Sequence, residues 1–159
     1  NTGASSSYLV DMLSGMLYNE LGSDYNDYLL RKVLRNTKVI SADVNPGVNP
    51  TWPSVWELGN APRLGNGVNL KLYGGGFNAN SEYMAWTRNY LDNANINWQT
   101  STYKGKASGG TIGSDLSNDN MEVVDFGVPI LSIHSPYAVG SKVDLYSLYK
   151  AMSAFYRQK

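Results

Sequence analysis

Apolar residues follow two kinds of spacing along this chain, and segments of the two kinds alternate. A spacing of three and four residues predicts helices at residues 5–21, 25–35, 80–94 and 141–157. Short apolar runs predict strands at residues 37–43, 68–75, 96–103, 122–127 and 128–134. Because these runs are nearly continuous, we expect a sheet that is buried on both faces. The pattern predicts an α/β fold, a mixed central sheet flanked by helices on both faces, in which 37–43, 68–73, 122–126 and 128–134 share one sheet.

The helical spacing also predicts which side of each helix is buried. In the first helix, the expected core residues are Leu9, Met12, Leu13, Met16, Leu17 and Leu21. In the last helix, they are Val143, Leu145, Leu148, Met152 and Phe155. Asn80 or Ser81 is the expected cap of the helix at 80–94, because short polar side chains satisfy the first backbone N–H groups of a helix.

Two longer segments carry loop signals. Residues 44–66 hold four of the six prolines and two tryptophans, and residues 104–121 form a glycine-rich loop that leads into a short helix. Neither segment has the low complexity of a linker, so we expect residues 1–159 to form a single domain.

The charge balance narrows the range of partners. Thirteen Lys and Arg residues against thirteen Asp and Glu residues give a net charge of zero. Proteins that bind a nucleic acid or a membrane surface usually carry an excess of basic residues, so neither is an expected partner. The absence of cysteine excludes disulfides, thiolate metal sites and cysteine nucleophiles within this chain.

The start of the chain bears on its origin. It shows neither the basic nor the apolar region of a signal peptide, and we expect a cytoplasmic protein. Asn1 stands where an initiator methionine would be, so we expect the chain to be part of a longer one.

Two polar residues follow apolar strands and are candidate metal ligands. Asp43 ends the run at 37–43, and His134, the single histidine, ends the run at 128–134. Ligand sites of open α/β sheets gather at the carboxyl ends of strands, and a carboxylate with an imidazole suits zinc. Two alternatives remain open at this point, because an Asp after a strand often caps a turn and a lone His is often a hydrogen-bonded core residue.

The glycine-rich segment at 108–116, SGGTIGSDL, is a second candidate site. Its backbone N–H groups precede a short helix and are able to hold an oxyanion or a carboxylate. A tight loop that needs glycine only for its backbone conformation is the alternative.

Several motifs together resemble one enzyme family. The segments VISADVNPGVNPTWPSVWELGNAPRLGNGV, GGTIGSDL and VVDFGVPILSIHSPYAVGSKVDLYSLYKAMSAF, in this order, are similar to the M18 family of zinc aminopeptidases, and the bacterial branch is the closer match. The resemblance extends over nearly the whole chain. It implies that the protein hydrolyses N-terminal residues from peptides with the help of a two-zinc site.

The resemblance also implies roles for individual residues. Asp43 and His134 match the metal ligands of the SADV and LSxHS motifs, and zinc is the implied cofactor. Lys71 and the loop of Gly109, Gly110 and Thr111 match residues that line the substrate site. No residue of the chain is assigned as the catalytic base, because the family's Glu-Glu pair precedes the matched part and no Glu-Glu pair occurs in the sequence.

The departures from the family leave three functions open. In the first, the chain is an aminopeptidase portion that acts on peptides once an N-terminal segment completes it. In the second, it is an inactive descendant that assembles into a filament or shell, and Ala138, where the bacterial branch has Glu, favours this. A ligand-binding module that uses the glycine loop is the third. We expect a homo-oligomer in either of the first two. The candidate contacts are Trp52, Trp56 and the proline-rich loop at 44–66, and the alternative is that these aromatic side chains fold back onto the chain's own core.

Overall fold

The computed structural model describes residues 3–74, 77–104 and 110–158. Its helices are α1 (Tyr8–Leu21), α2 (Asp27–Asn36), α3 (Ser81–Asn93), α4 (Gly113–Ser117) and α5 (Lys142–Phe155). Its strands are β1 (Lys38–Pro46), β2 (Val68–Lys71), β3 (Tyr73–Gly74), β4 (Phe77–Asn78), β5 (Trp98–Ser101), β6 (Glu122–Leu131) and β7 (Val139–Gly140). Single turns of 3-10 helix lie at Gly22–Asp24, Pro53–Val55 and Leu58–Asn60.

The main sheet is mixed, as the sequence predicts. Its strand order is β1-β6-β2-β5, and the short β7 pairs with β6. β1 runs parallel to β6 and β2 runs parallel to β5, whereas β2 is antiparallel to β6. The predicted α/β fold with a mixed sheet flanked by helices is therefore confirmed.

One face of this sheet is apolar and forms the main core. Val68, Leu70, Val124 and Phe126 are fully buried there, and helices α3 and α5 cover them. Asn80 starts α3 as predicted, because its side chain accepts hydrogen bonds from the backbone N–H groups of Glu82 and Tyr83.

The other face changes character along the strands. Near the start of β1 and β6, Val39 and Val123 pack against a second core that includes Leu30 and Leu34 of α2. Farther along, the residues on this face are polar and still buried, namely Ser41, Asn45, Asn69, Lys71, Ser101 and Asp125. The strands thus alternate between an apolar and a partly polar face, although their composition reads as continuously apolar.

Two strand predictions need correction. The runs at 122–127 and 128–134 form one strand, β6, which ends at Leu131. Gly127 reads as a break in the sequence, but it lies inside the strand. The position requires glycine, because an added Cβ would overlap the carbonyl oxygen of Asp43. The run at 68–75 divides instead, because Tyr73–Gly74 leaves the main sheet and pairs with Phe77–Asn78.

The predicted buried sides of two helices are partly wrong. No residue of α1 is buried, and Met16 is 62% exposed. In α5, Val143 and Leu145 are exposed, whereas Asp144, Ser147 and Ala151 are buried. Helical spacing identifies an apolar stripe, but the stripe is buried only where another element lies against it.

The proline-rich segment returns to the sheet through an aromatic pair. Trp56 is 3% exposed and stacks on Tyr103 with a ring-centroid separation of 4.2 Å, whereas Trp52 is 69% exposed. The prediction of Trp56 as a contact residue between subunits is therefore wrong, because its ring is already used in the chain's own core.

The end of the proline-rich segment is held by α5, because the fully buried Asp144 accepts hydrogen bonds of 2.7 Å from the N–H groups of Gly65 and Gly67.

Candidate functional site

A cleft of about 720 Å³ opens over the polar part of the sheet. Its lining includes Asp43, Lys71, Gly110, Thr111, Asp125 and His134. Five of these six residues are sequence candidates, contributed by two strands, the loop before α4 and the turn after β6. Gly109, the remaining candidate, lies outside the described residues.

Asp43 reaches the cleft from β1. It lies opposite Gly127 of β6 and is exposed, and its Oδ1 accepts a hydrogen bond of 2.7 Å from the N–H of Val44. This contact with the following residue does not cap a new turn, since β1 continues to Pro46. The Asp43 carboxylate is thus held at the cleft by a regular strand.

His134 reaches the cleft from a turn three residues after the end of β6. Its φ of 64° lies in the left-handed region, as does the φ of 60° at Ser132, and the N–H of Ser135 donates to the carbonyl of Ser132. Non-glycine residues rarely adopt this conformation, and they cluster where a structure must aim a side chain. His134 is exposed, so the alternative of a core histidine is wrong.

A buried ion pair forms the floor of the cleft. The Lys71 ammonium lies 3.5 Å from the Asp125 carboxylate and donates a hydrogen bond of 3.2 Å to the carbonyl of Gly110. Lys71 is 5% exposed and Asp125 is 2% exposed. The pair therefore joins β2, β6 and the segment before α4 at one point.

Thr111 links the same segment to β1. Its Oγ1 lies 3.3 Å from the Oγ of Ser41 and accepts a hydrogen bond of 3.0 Å from the N–H of Gly113. Gly113 is buried, and an added Cβ would stand 3.1 Å from Val123. Gly113 thus serves close packing against the sheet, whereas Gly110 and Thr111 present polar groups to the cleft.

The environment raises the pKa of Asp125 above its ordinary value. Burial is the main cause, and the negative charge of Asp43 adds to it. The nearby Thr111 hydroxyl and the positive charge of Lys71 oppose the increase. The raised pKa means that a negative charge on Asp125 is costly at the floor of the cleft.

The cleft contains two side chains of the kinds that bind zinc. Asp43 offers carboxylate oxygen and His134 offers imidazole nitrogen, which are both ordinary zinc ligands. Within residues 3–74, 77–104 and 110–158, no cluster of three or more His, Asp or Glu side chains is arranged to hold a metal. A catalytic zinc ion usually has three protein ligands, so further ligands would have to come from elsewhere.

Sequence reasoning missed Asp125 and Asn45. Both residues line the cleft and are almost fully buried. Asp125 did leave a signal, because it is the one charged residue inside the apolar stretch VVDFGVPIL. Asn45 left none, since Asn residues are frequent in the proline-rich segment that follows.

The opposite face of the sheet carries a different cavity. Its volume is about 510 Å³, and its lining is mainly apolar, with Ala42, Val44, Val128 and Leu145 among the residues. The described part of the chain therefore has a polar cleft over one face of the sheet and a mainly apolar cavity on the other.

Among the described helices, none is both long and apolar enough to cross a membrane.

Known proteins with similar sequences are aminopeptidases by name. Residues 1–156 match the family described as aminopeptidase I zinc metalloprotease (M18). The probable M18 family aminopeptidase 1 of Borreliella burgdorferi is 38% identical over 167 residues, which cover 99% of this chain and 36% of that protein. Aspartyl aminopeptidase 4 of Saccharomyces cerevisiae is 27% identical, over 98% of this chain and 34% of that protein.

A solved structure extends the comparison to the fold. The M18-family aminopeptidase of Thermotoga maritima superposes with a TM-score of 0.88 at 34% identity, over 97% of this chain and 36% of that one. The chain thus spans about a third of the length of the relatives that it matches. The match over residues 1–156 confirms the predicted resemblance, and the chain belongs to the M18 family of zinc aminopeptidases.

Proposed function

We propose that this chain supplies part of the catalytic site of a zinc aminopeptidase. The observation that carries the proposal is that Asp43, His134, Lys71, Gly110 and Thr111 all line one cleft, although they are far apart in the sequence. Asp43 and His134 hold the metal, and the other three residues contact the peptide. Gly109 belongs to the same loop and is proposed as a further peptide contact.

The proposal requires residues beyond those of this chain. Two protein ligands hold a zinc ion too weakly for catalysis, and a two-zinc site needs still more. The chain spans about a third of its relatives, so the additional ligands and the general base come from the rest of the catalytic unit. Bound zinc would polarise the scissile carbonyl and lower the pKa of a bound water.

The chain's own residues position the peptide. Lys71 presents donors at the floor of the cleft, and its hydrogen bond to Gly110 holds the loop before α4 in place. Thr111 is fixed by Ser41 and Gly113, so the peptide meets a rim that is already ordered. Prior ordering of contact groups reduces the entropy cost of binding.

Zinc titration tests the metal assignment directly. Isothermal titration calorimetry of the 159-residue chain with zinc chloride should show weak binding, and Asp43→Asn or His134→Gln should each weaken it at least about tenfold. Asp24→Asn, which changes an exposed carboxylate outside the cleft, is the matched control and should leave the affinity unchanged. Equal affinity in all four proteins would refute the assignment.

Activity assays test the claim that the site is incomplete. We expect the purified chain alone not to release N-terminal residues from peptides, because water activation needs a carboxylate base next to the metal. Zinc-dependent hydrolysis by the chain alone would overturn this claim. Hydrolysis that starts only when the N-terminal two thirds of a relative is added would support it.

An inactive, self-assembling protein is the second candidate function. Large apolar side chains are exposed on the two outer helices, including Leu9, Met12 and Met16 of α1 and Leu145, Tyr146 and Tyr149 of α5. Such surface is rarely left bare, so we propose a homo-oligomer. A single monomeric species in sedimentation velocity at micromolar concentration, unchanged on dilution, would exclude it.

The contact residues and the location of the chain need separate tests. Trp52 is the remaining candidate contact from the proline-rich segment, and Trp52→Ala should shift the sedimentation profile toward the monomer. The cytoplasmic location stays a prediction from the sequence, and cell fractionation tests it.

A further inference from the structure

One dipeptide step in the loop before β2 is chemically reactive by itself. Asn66–Gly67 is the single Asn-Gly step of the sequence, and Asn66 is exposed. In such a step the backbone nitrogen of the glycine attacks the side-chain amide carbon of the asparagine, because the glycine has no Cβ that obstructs the approach. The attack needs backbone freedom, so the structure around these two residues sets its rate.

The fold does not allow another residue in place of Gly67. Its φ of 92° lies in the left-handed region, and an added Cβ would overlap the carbonyl oxygen of Asn97. The same oxygen accepts a hydrogen bond of 3.1 Å from the N–H of Val68, the first residue of β2. The start of β2 therefore requires glycine at this position, and the reactive step persists as long as residue 66 is asparagine.

Asp144 binds the N–H group that the reaction must free. It is fully buried in the first turn of α5, and its Oδ1 accepts a hydrogen bond of 2.7 Å from the N–H of Gly67. Its Oδ2 accepts a bond of the same length from Gly65. The Gly67 nitrogen becomes a nucleophile only when it loses its proton, and a buried carboxylate beside it opposes the negative charge that forms. The nitrogen must also turn toward the Asn66 side chain, which breaks this hydrogen bond.

Gln99 of β5 fixes the backbone on both sides of Asn66. Its Nε2 donates to the carbonyl of Arg63 at 2.8 Å and to the carbonyl of Gly67 at 3.1 Å. Its Oε1 accepts a hydrogen bond of 2.8 Å from the N–H of Arg63. The loop is thus bound to β5 by Gln99 and to α5 by Asp144, and Asp144 is the residue that contacts the reacting nitrogen itself.

We propose that Asn66 is a site of spontaneous deamidation and that Asp144, by holding the N–H of Gly67, controls its rate. The Gly67 nitrogen bonds to Cγ of Asn66, and the side-chain nitrogen leaves as ammonia with the proton that Gly67 loses. Water then opens the cyclic imide, which leaves aspartate or isoaspartate at position 66. Isoaspartate adds a methylene to the main chain, so Gly65 and Gly67 no longer reach Asp144 together, and a buried carboxylate without partners is costly. The modification would therefore release this loop from α5, independently of the zinc site.

Peptide mapping of the incubated chain tests the proposal. Trypsin releases residues 64–71 as one peptide, and mass spectrometry follows the mass increase from amide to acid at Asn66, with Asn69 in the same peptide as an internal reference. At mildly alkaline pH, the folded chain should deamidate at least about a hundredfold more slowly than the chain unfolded in guanidinium chloride, because the attack needs local opening of the loop.

Substitution of Asp144 separates its effect from that of the fold as a whole. Asp144→Asn keeps the shape and removes one of the two acceptors, so the folded variant should deamidate at Asn66 about tenfold faster, the factor for one hydrogen bond to a charged group. Ser101→Ala removes a buried hydrogen bond elsewhere in the sheet and is the control. It should leave the rate at Asn66 nearly unchanged.

Three results would overturn the proposal. They are equal rates at Asn66 in the folded and unfolded wild type, a folded Asp144→Asn variant that reacts at the wild-type rate, and an equal acceleration by Ser101→Ala. If Asp144→Asn does not fold, hydrogen exchange of the wild type decides the question. The N–H of Gly67 should exchange at least about a hundredfold more slowly than in the unfolded chain, and exchange at the unfolded rate would show that Asp144 does not hold it.

Discussion

The two faces of the sheet are buried to a similar degree but by different means. Val68, Leu70 and Phe126 are fully buried under α3 and α5, and the adjacent Asn69, Lys71 and Asp125 on the other face are at most 5% exposed. The apolar face is covered by side chains of the same chain. The polar face contains an ion pair and buried polar atoms that have no hydrogen-bond partner among the described residues, and it forms the floor of the cleft.

The difference shows which face carries stability and which carries chemistry. Burial of apolar surface on one face contributes the folding energy, because each large side chain removed from water adds about 2 kcal/mol. The polar face contributes less, since desolvation of Lys71 and Asp125 offsets much of their attraction. The apolar face therefore supplies the folding energy that allows polar groups to be buried at the cleft on the opposite face.

The largest expected effect is a truncation on the apolar face. Phe126→Ala removes a fully buried ring from the centre of β6 and should lower the free energy of unfolding by about 4 kcal/mol. Urea unfolding followed by circular dichroism measures it. Val143→Ala, on an exposed position of α5, is the control and should change stability by less than about 0.5 kcal/mol. Equal effects would remove the distinction between core and surface.

Breaking the ion pair on the polar face should have the next largest effect. Lys71→Met leaves the Asp125 carboxylate buried without its counter-charge and should lower the free energy of unfolding by about 3 kcal/mol. Adding Asp125→Asn to Lys71→Met should recover most of the loss, because the unpaired charge is then removed. If the double variant is no more stable than Lys71→Met, the pair does not act as a unit.

Alkaline pH should weaken the apolar face through two tyrosines. Burial raises the pKa of Tyr83 and of Tyr90 above their ordinary value near 10. Above pH 10 the unfolded chain loses these protons and the folded chain keeps them, so stability should fall by about 1.4 kcal/mol per pH unit for each tyrosine. Urea unfolding at pH 9, 10 and 11 measures the slope. Tyr90→Phe should make it shallower, whereas Tyr149→Phe, on the exposed side of α5, should not.

A smaller effect is expected from a single hydrogen bond on the polar face. The Nδ2 of Asn69 donates to the Oγ of Ser101 at 2.9 Å, and both residues are buried. Ser101→Ala should cost about 1 kcal/mol, the net value of one buried hydrogen bond. Ser23→Ala, at an exposed position between α1 and α2, should cost almost nothing. A loss as large as that of Phe126→Ala would show that the polar face carries more of the stability than we infer.

Local patterns predicted the order of the elements well. Helices α1, α2, α3 and α5 and strands β1 and β5 lie within a few residues of the predicted ranges, whereas β2 is shorter than its predicted run and β6 joins two of them. These elements depend on interactions between near neighbours, such as the cap at Asn80, so the sequence nearby is sufficient to identify them. The predicted burial of α1 and α5 failed in part, because burial depends on whether another element lies opposite.

The family motifs were also visible in the sequence, and they indicated Asp43, His134, Lys71, Gly110 and Thr111 as site residues. What the motifs did not contain is Asp125, which pairs with Lys71 only because β2 runs antiparallel to β6. The position of His134 also differs from the prediction, since it lies in a left-handed turn and not at the end of a strand. Neither feature follows from local spacing.

By itself, then, the sequence determined the alternation of helices and strands and, through its motifs, the family and the candidate site residues. Only the tertiary structure decided that Ser41, Asp125, Lys71 and Ser101 stand in one row across four strands. It also brought Thr111 to Ser41, which is 70 residues away in the chain. Strand order and register are set by burial of one whole face of the sheet, and that collective requirement is not readable from any single segment.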